Sequence, residues 1–147
     1  MIDLLDGNVL IALADDGHVS HESVVGWFVA SPEPFATTPT TQGTLLRHLI
    51  RSGQDADEAI AVLTAWTTHE RHVFWPDDAP YDAATMRGVI GHRQVTDAYL
   101  VARARAHGGR VATLDLGLRA AFPDDTLRAE VDHGSGPLDE LDEPAAG

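Results

Sequence analysis

Apolar residues along the chain fall into short runs and helical spacings that take turns. IDLL at 2–5 is a brief apolar run, and NVLIALA follows at 8–14, which predicts a short strand and then a short helix. VSHESVVGWFVA at 19–30 places its apolar residues at helical spacing, with Ser20 or Ser23 available as a cap. FATT at 35–38 reads as a strand. Pro39 then suits the first turn of a helix that runs through TTQGTLLRHLIRSG to Gly53. DADEAIAVLTAWTTH predicts another helix, with acidic residues in its first turn. HVFWP at 72–76 reads as a strand stopped by Pro76, and the polar stretch 77–94 as irregular structure around a short helix. VTDAYLVARARAHGG carries the clearest helical pattern, capped by Thr96 and ended by Gly108 and Gly109. RVATL at 110–114 is a strand leading into Asp115; after a further short helix, TLRAEV at 126–131 reads as an edge strand.

Strands that alternate with helices predict an α/β protein, a three-layer α/β/α sandwich around a mostly parallel central sheet, over residues 1–131. Residues 132–147 are acidic and rich in Gly, Pro and Ala, the composition of a flexible tail. No internal repeat is visible.

Composition narrows the chemistry. With no cysteine in the 147 residues, disulfides and thiolate metal sites are excluded. No apolar run approaches the ~20 residues that span a bilayer, and the start lacks a basic leader segment, so a cytoplasmic protein with no membrane partner is expected. The net charge of −13 argues against a broad basic surface for nucleic acid. All ten basic residues are Arg, so bidentate phosphate contacts remain available wherever they cluster.

The carboxylates are the most informative feature. In a parallel α/β sheet, ligands bind beyond the carboxyl ends of the strands. Asp6 and Asp115 each stand at such an end, and Asp97 lies in the first turn of the helix that precedes the Asp115 strand. All three can reach one pocket, where their mutual repulsion favours a hard divalent cation, Mg²⁺ or Mn²⁺. Taken singly, Asp6 reads as a turn residue, Asp97 as a helix-start charge and Asp115 as a loop start. Placement at one edge favours the metal site.

DGNVLIALA at 6–14, TQGTLLR at 41–47, GHRQVTDAYLVARARAHGG at 91–109 and ATLD at 112–115 resemble the PIN-domain ribonucleases, and among them the VapC toxins of bacterial toxin–antitoxin pairs. The resemblance spans residues 2–131. It implies a PIN-like fold and a Mg²⁺- or Mn²⁺-dependent endoribonuclease that leaves a 5′-phosphate. Asp6 would be the first metal ligand with Asn8 in support, Asp97 and Asp115 the later acidic members, and Thr113 a hydrogen-bonding neighbour of the ligands. It further implies a homodimer, an RNA substrate and a small VapB-like antitoxin partner. The sequence departs from the family where a Glu is expected after the second strand. The best match there is Gln42, which brings a carbonyl oxygen but no charge. Two functions follow: a toxin ribonuclease with three Asp ligands, or a weakened PIN-fold module that binds RNA or protein. On the first, Gln42→Glu is expected to raise metal affinity or cleavage.

Other signals are weaker. Arg93 and Arg47 are candidate RNA-phosphate contacts, whereas Arg103 and Arg105 read as the solvated side of their helix. The eight His residues follow no metal-binding spacing, and Trp27, Phe28, Trp66 and Trp75 fit packing positions. A phosphoacceptor domain or a haloacid-dehalogenase-type phosphatase needs a Lys that the chain lacks. A dinucleotide site needs a glycine-rich turn that the single Gly7 does not make.

Overall fold

Residues 1–131 are described in the computed structural model, and the stretch 132–147 expected to be a flexible tail lies outside the described residues. Strand β1 (Asp3–Leu5) ends where Asp6 takes an extended backbone and occupies the N-cap position of helix α1 (Gly7–Ala14). The Asp-Gly pair is therefore a strand-to-helix junction. Helix α2 (His21–Ala30) leads to β2 (Phe35–Thr37). Thr38, expected as a strand residue, instead caps α3 (Pro39–Arg51): its hydroxyl accepts the Thr41 N–H, and the Thr41 hydroxyl accepts the Thr38 N–H. Asp55 and Glu58 build the same reciprocal cap on α4 (Ala56–Thr67). There follow β3 (His72–Phe74), α5 (Ala83–Met86), a 3₁₀ turn (His92–Gln94), α6 (Val95–Ala106), β4 (Arg110–Thr113), α7 (Leu116–Ala121) and β5 (Thr126–Arg128). Because α6 continues straight from the 3₁₀ turn, Gln94 holds its capping position and Thr96 lies inside the first turn.

The five strands pair entirely in parallel, in the order β3-β2-β1-β4-β5. The chain steps from β1 to β3 on one side, then crosses back to place β4 on the other side of β1. Crossovers of one hand therefore put α1 to α4 on one face and α6 with α7 on the other. Side-chain alternation sorts the core accordingly. Leu5, Phe35 and Ala112 pack with Val9, Val24 and Leu45, while Leu4, Ala36 and Val111 pack with Leu100, Val101 and Leu118. The strand order reverses between β1 and β4, and open sheets of this kind leave a crevice beyond the strand ends at that point.

Two features position that crevice. A Cβ on Gly7 would sit 2.5 Å from Thr44 Cγ2, so only glycine lets α1 lie against α3. Gly7→Ala is expected to lower stability by about 1–3 kcal/mol, read as a lower urea midpoint at unchanged slope. The loop after β3 is tied down at several places. Asp77 accepts the Thr40 N–H and hydroxyl at 2.9 and 2.7 Å, the Tyr99 hydroxyl donates to the Ala79 carbonyl at 2.9 Å, and Arg103 Nη2 donates to Asp78 at 2.7 Å. Arg103, expected on a solvated face, is only 7% exposed because this loop covers it, whereas Arg105 is exposed as its spacing implies. Phe28 and Trp75 are buried, with Trp27 and Trp66 packed against the core.

Candidate active site

Three elements deliver the three aspartates. Asp6 follows β1, Asp115 follows β4 by two residues, and Asp97 lies in the first turn of α6. β1 and β4 are neighbours, so Asp6 and Asp115 stand side by side, and one hydroxyl joins them. Thr113 Oγ1 donates to Asp6 Oδ2 at 2.8 Å and accepts the Asp115 N–H at 3.0 Å. Asn8 completes the link: its Oδ1 accepts the Leu114 N–H at 3.2 Å, and its Nδ2 makes a longer contact of 3.4 Å to Thr113. Asp115 Oδ1 also accepts the N–H groups of Gly117 and Leu118 at 2.8 and 3.1 Å, which fixes its rotamer. Asp97 accepts no hydrogen bond from any described residue.

The charges act on one another. Burial, followed by the charges of Asp6 and Asp115, pushes the Asp97 carboxyl up to about 6. Burial also raises Asp6, with Asp115 adding to the effect, against hydrogen bonds from Thr113 and the Gly7 N–H. The fold thus assembles negative charge at this edge and supplies no cation among the described residues to offset it. No three acidic or His side chains among the described residues close into a ready-made cage. The donors are all oxygens, and each carboxylate keeps acceptor capacity. That set fits Mg²⁺ or Mn²⁺, which bind through a few carboxylates and retain water.

Gln42 is held apart from this trio. Its Nε2 donates to Thr37 Oγ1 at 2.9 Å, and Thr37 Oγ1 lies 2.7 Å from His72 Nε2. The register that sets Leu4 beside Ala36 carries Thr37 level with Leu5, so Gln42 stands at the same sheet edge but on the β2 side. Arg47 is exposed, with Nη2 3.4 Å from Thr44 Oγ1, and its guanidinium lies over Gly43. Arg93 is exposed in the 3₁₀ turn that leads into α6. Sequence reasoning passed over Thr37 and His72; the hydroxyl pair that ends FATT and the His that opens HVF were the available signals.

A model of the PIN domain family matches residues 4–121. Ribonuclease VapC29 of Mycobacterium tuberculosis is 52% identical over 118 residues, covering 80% of this chain and 89% of that protein. Among solved structures, VapC20 of Mycobacterium tuberculosis, described as a sarcin-ricin loop cleaving toxin, superposes with a TM-score of 0.67 at 19% identity, covering 83% of this chain and 95% of that one. VapBC2 from Rickettsia felis, bound to a DNA fragment from its promoter, gives 0.59 at 13% identity over 87% and 98%. Those two likenesses bear on the fold, and the matched span takes in Asp6, Asp97 and Asp115. On the family match and the 52% relative together, this chain belongs to the PIN domain family, in its VapC branch.

Proposed function

We propose that the protein is a divalent-metal-dependent endoribonuclease acting as the toxin of a toxin–antitoxin pair. The observation that carries the reading is that Asp6, Asp97 and Asp115 stand at the switch point of the sheet near enough for Asp115 to raise both other carboxyls and for Asp6 to raise Asp97. The names of the curated relatives support RNA hydrolysis. In the reaction a water oxygen bonds to phosphorus and the bond to the 3′ oxygen breaks, leaving a 5′-phosphate and a 3′-hydroxyl.

Asp6 and Asp115, both fixed by hydrogen bonds, and Asp97, which accepts none from the described residues, would hold the metal. When bound, the ion supplies Lewis-acid polarisation of the phosphoryl oxygen and lowers the pKa of water. Thr113 keeps the Asp6 oxygen and the Asp115 backbone in register. Asp97, raised to about 6 in the metal-free chain and accepting no hydrogen bond from any described residue, would be drawn into the ionised form by the cation it helps to hold. Arg47 and Arg93, both exposed, are the proposed contacts to RNA phosphates. The uncompensated carboxylates also suit a basic antitoxin segment that covers them, and the VapBC2 structure is consistent with such a pair. A homodimer is proposed from the family likeness.

Incubation of the purified protein with total RNA tests the reading, with cut ends mapped by sequencing. Defined new 5′-phosphate ends are expected with Mg²⁺ or Mn²⁺ and none with EDTA. Mn²⁺ binding with all RNA left intact would favour a binding module.

A further inference from the structure

Between Asp82 and Asp97 the chain carries no acidic residue, although 23 of its 147 residues are Asp or Glu. That segment holds Arg87, His92 and Arg93, all exposed, and between the two arginines stands Ile90, an apolar side chain 92% exposed. Five of the other arginines are already engaged. Arg103, Arg105, Arg110 and Arg128 each pair with a carboxylate at 2.6–2.9 Å, and Arg71 donates to the Phe28 and Ser31 carbonyls. The guanidinium groups of Arg87 and Arg93 make no hydrogen bond or ion pair with any described residue.

The backbone of the segment is held in place. The Tyr81 ring lies against Tyr99 of α6, centroids 4.8 Å apart, and Asp82 accepts the Thr85 N–H at 2.8 Å. Gly88 takes a φ of 87°, a turn conformation open to glycine. Gln94 Oε1 accepts the Ile90 N–H at 2.8 Å and closes the turn that carries Ile90. From there the chain runs through the 3₁₀ turn into the first turn of α6, where Asp97 stands four residues after Arg93. Four residues of helical backbone rise about 6 Å, so a strand held at Arg93 meets the acidic edge within about two nucleotides.

We propose that residues 87–93 form a landing surface for single-stranded RNA beside the acidic edge, with Arg87 and Arg93 on phosphates and Ile90 against an unpaired base. The proposal rests on RNA being the substrate, as in the reading above; it adds Arg87, Ile90 and the unpaired state of the strand. Charge selects the occupant. Two uncompensated cations in an acid-free segment attract a polyanion and repel the basic antitoxin segment proposed to cover the aspartates. A duplex turns its base faces inward, whereas an unpaired base offers Ile90 an apolar face.

Fluorescence anisotropy of a short, unstructured, labelled RNA with the full chain in EDTA, across a salt series, tests this without cleavage. Arg87→Ala and Arg93→Ala are each expected to weaken binding and to reduce the slope of log affinity against log salt by about 0.7, the share of one phosphate contact on a single strand. Arg51→Ala, an equal loss of charge on α3, is expected to leave the slope unchanged. Ile90→Ser is expected to weaken binding about threefold or more at an unchanged slope, since an apolar contact releases no counterions, and to leave binding of the matching duplex unaffected. No binding by the wild type, slopes unchanged in both arginine variants, or an equal reduction in Arg51→Ala would overturn the surface. Unchanged RNA affinity in Ile90→Ser would overturn the base contact and leave that side chain to a protein partner. RNA bound through this segment yet left intact with Mg²⁺ or Mn²⁺ would uphold the surface and remove the nuclease reading.

Discussion

Asp97→Asn is expected to lower RNA cleavage by about 100-fold or more while making the metal-free protein more stable, not less. Both effects have one cause. Asp97 is held near two other carboxylates with no hydrogen bond from any described residue, and its carboxyl is pushed up to about 6 from an ordinary value of 3.8. A raised acid binds more protons in the folded chain than in the unfolded one between those two values. Its destabilising charge is absent below about pH 4, develops as pH rises through 6 and is complete above that. The stability advantage of Asp97→Asn over wild type should therefore be near zero at pH 4 and grow through pH 6. It should level off at roughly 2–5 °C in thermal midpoint, a figure reduced for solvent screening of a half-buried group. Melting curves of both proteins in EDTA across this range check it. A variant less stable than wild type at pH 7.5 would mean that Asp97 holds the fold together rather than serving a site.

Metal should reverse that balance, and this is the second large effect. A cation bound by the three carboxylates stabilises the folded chain by mass action and relieves their repulsion together. Ligands must be ionised to bind it, so affinity follows the titration of Asp97, whose carboxyl is pushed up to about 6. Mn²⁺ affinity is therefore expected to be highest above pH 7 and to fall up to tenfold per pH unit below 6. Cleavage should disappear with it and in EDTA at any pH. The rise in thermal midpoint on adding Mn²⁺, measured at pH 7.5 and pH 5, reads this directly. An equal rise at both values would place the metal on groups that do not titrate here.

Most of the fold was legible because its elements are short, apolar and cleanly punctuated. Pro39, Gly53 and the Gly108-Gly109 pair mark ends that the structure keeps to within two residues. The site was legible as far as it depends on topology. Once strands alternate with helices, Asp6, Asp97 and Asp115 come to one edge, and Thr113 ends the strand two residues before Asp115. What the chain did not display were contacts set by loops and by distant partners. Arg103 carries a helical spacing that puts it outward, and only the path of residues 76–82, fastened by Asp77 and Asp78, buries it. Gln42 read as a missing charge because its partners are not local. Thr37 is five residues back, but His72 is thirty on, and their pairing requires β2 and β3 to be neighbours. Thr38 changed from strand to cap for a local reason, since its backbone N–H and hydroxyl are both taken by Thr41 three residues on.

The central claim is that the three aspartates form one metal centre. Crystals grown or soaked with Mn²⁺ at pH 7.5, with data collected at the manganese absorption edge, test it most directly. An anomalous peak within coordinating distance of the Asp6, Asp97 and Asp115 carboxylates, directly or through water, is the expected result, and it should vanish in Asp97→Asn or lose occupancy there. A map with no peak at this edge, or with manganese bound only elsewhere on the surface, would contradict it.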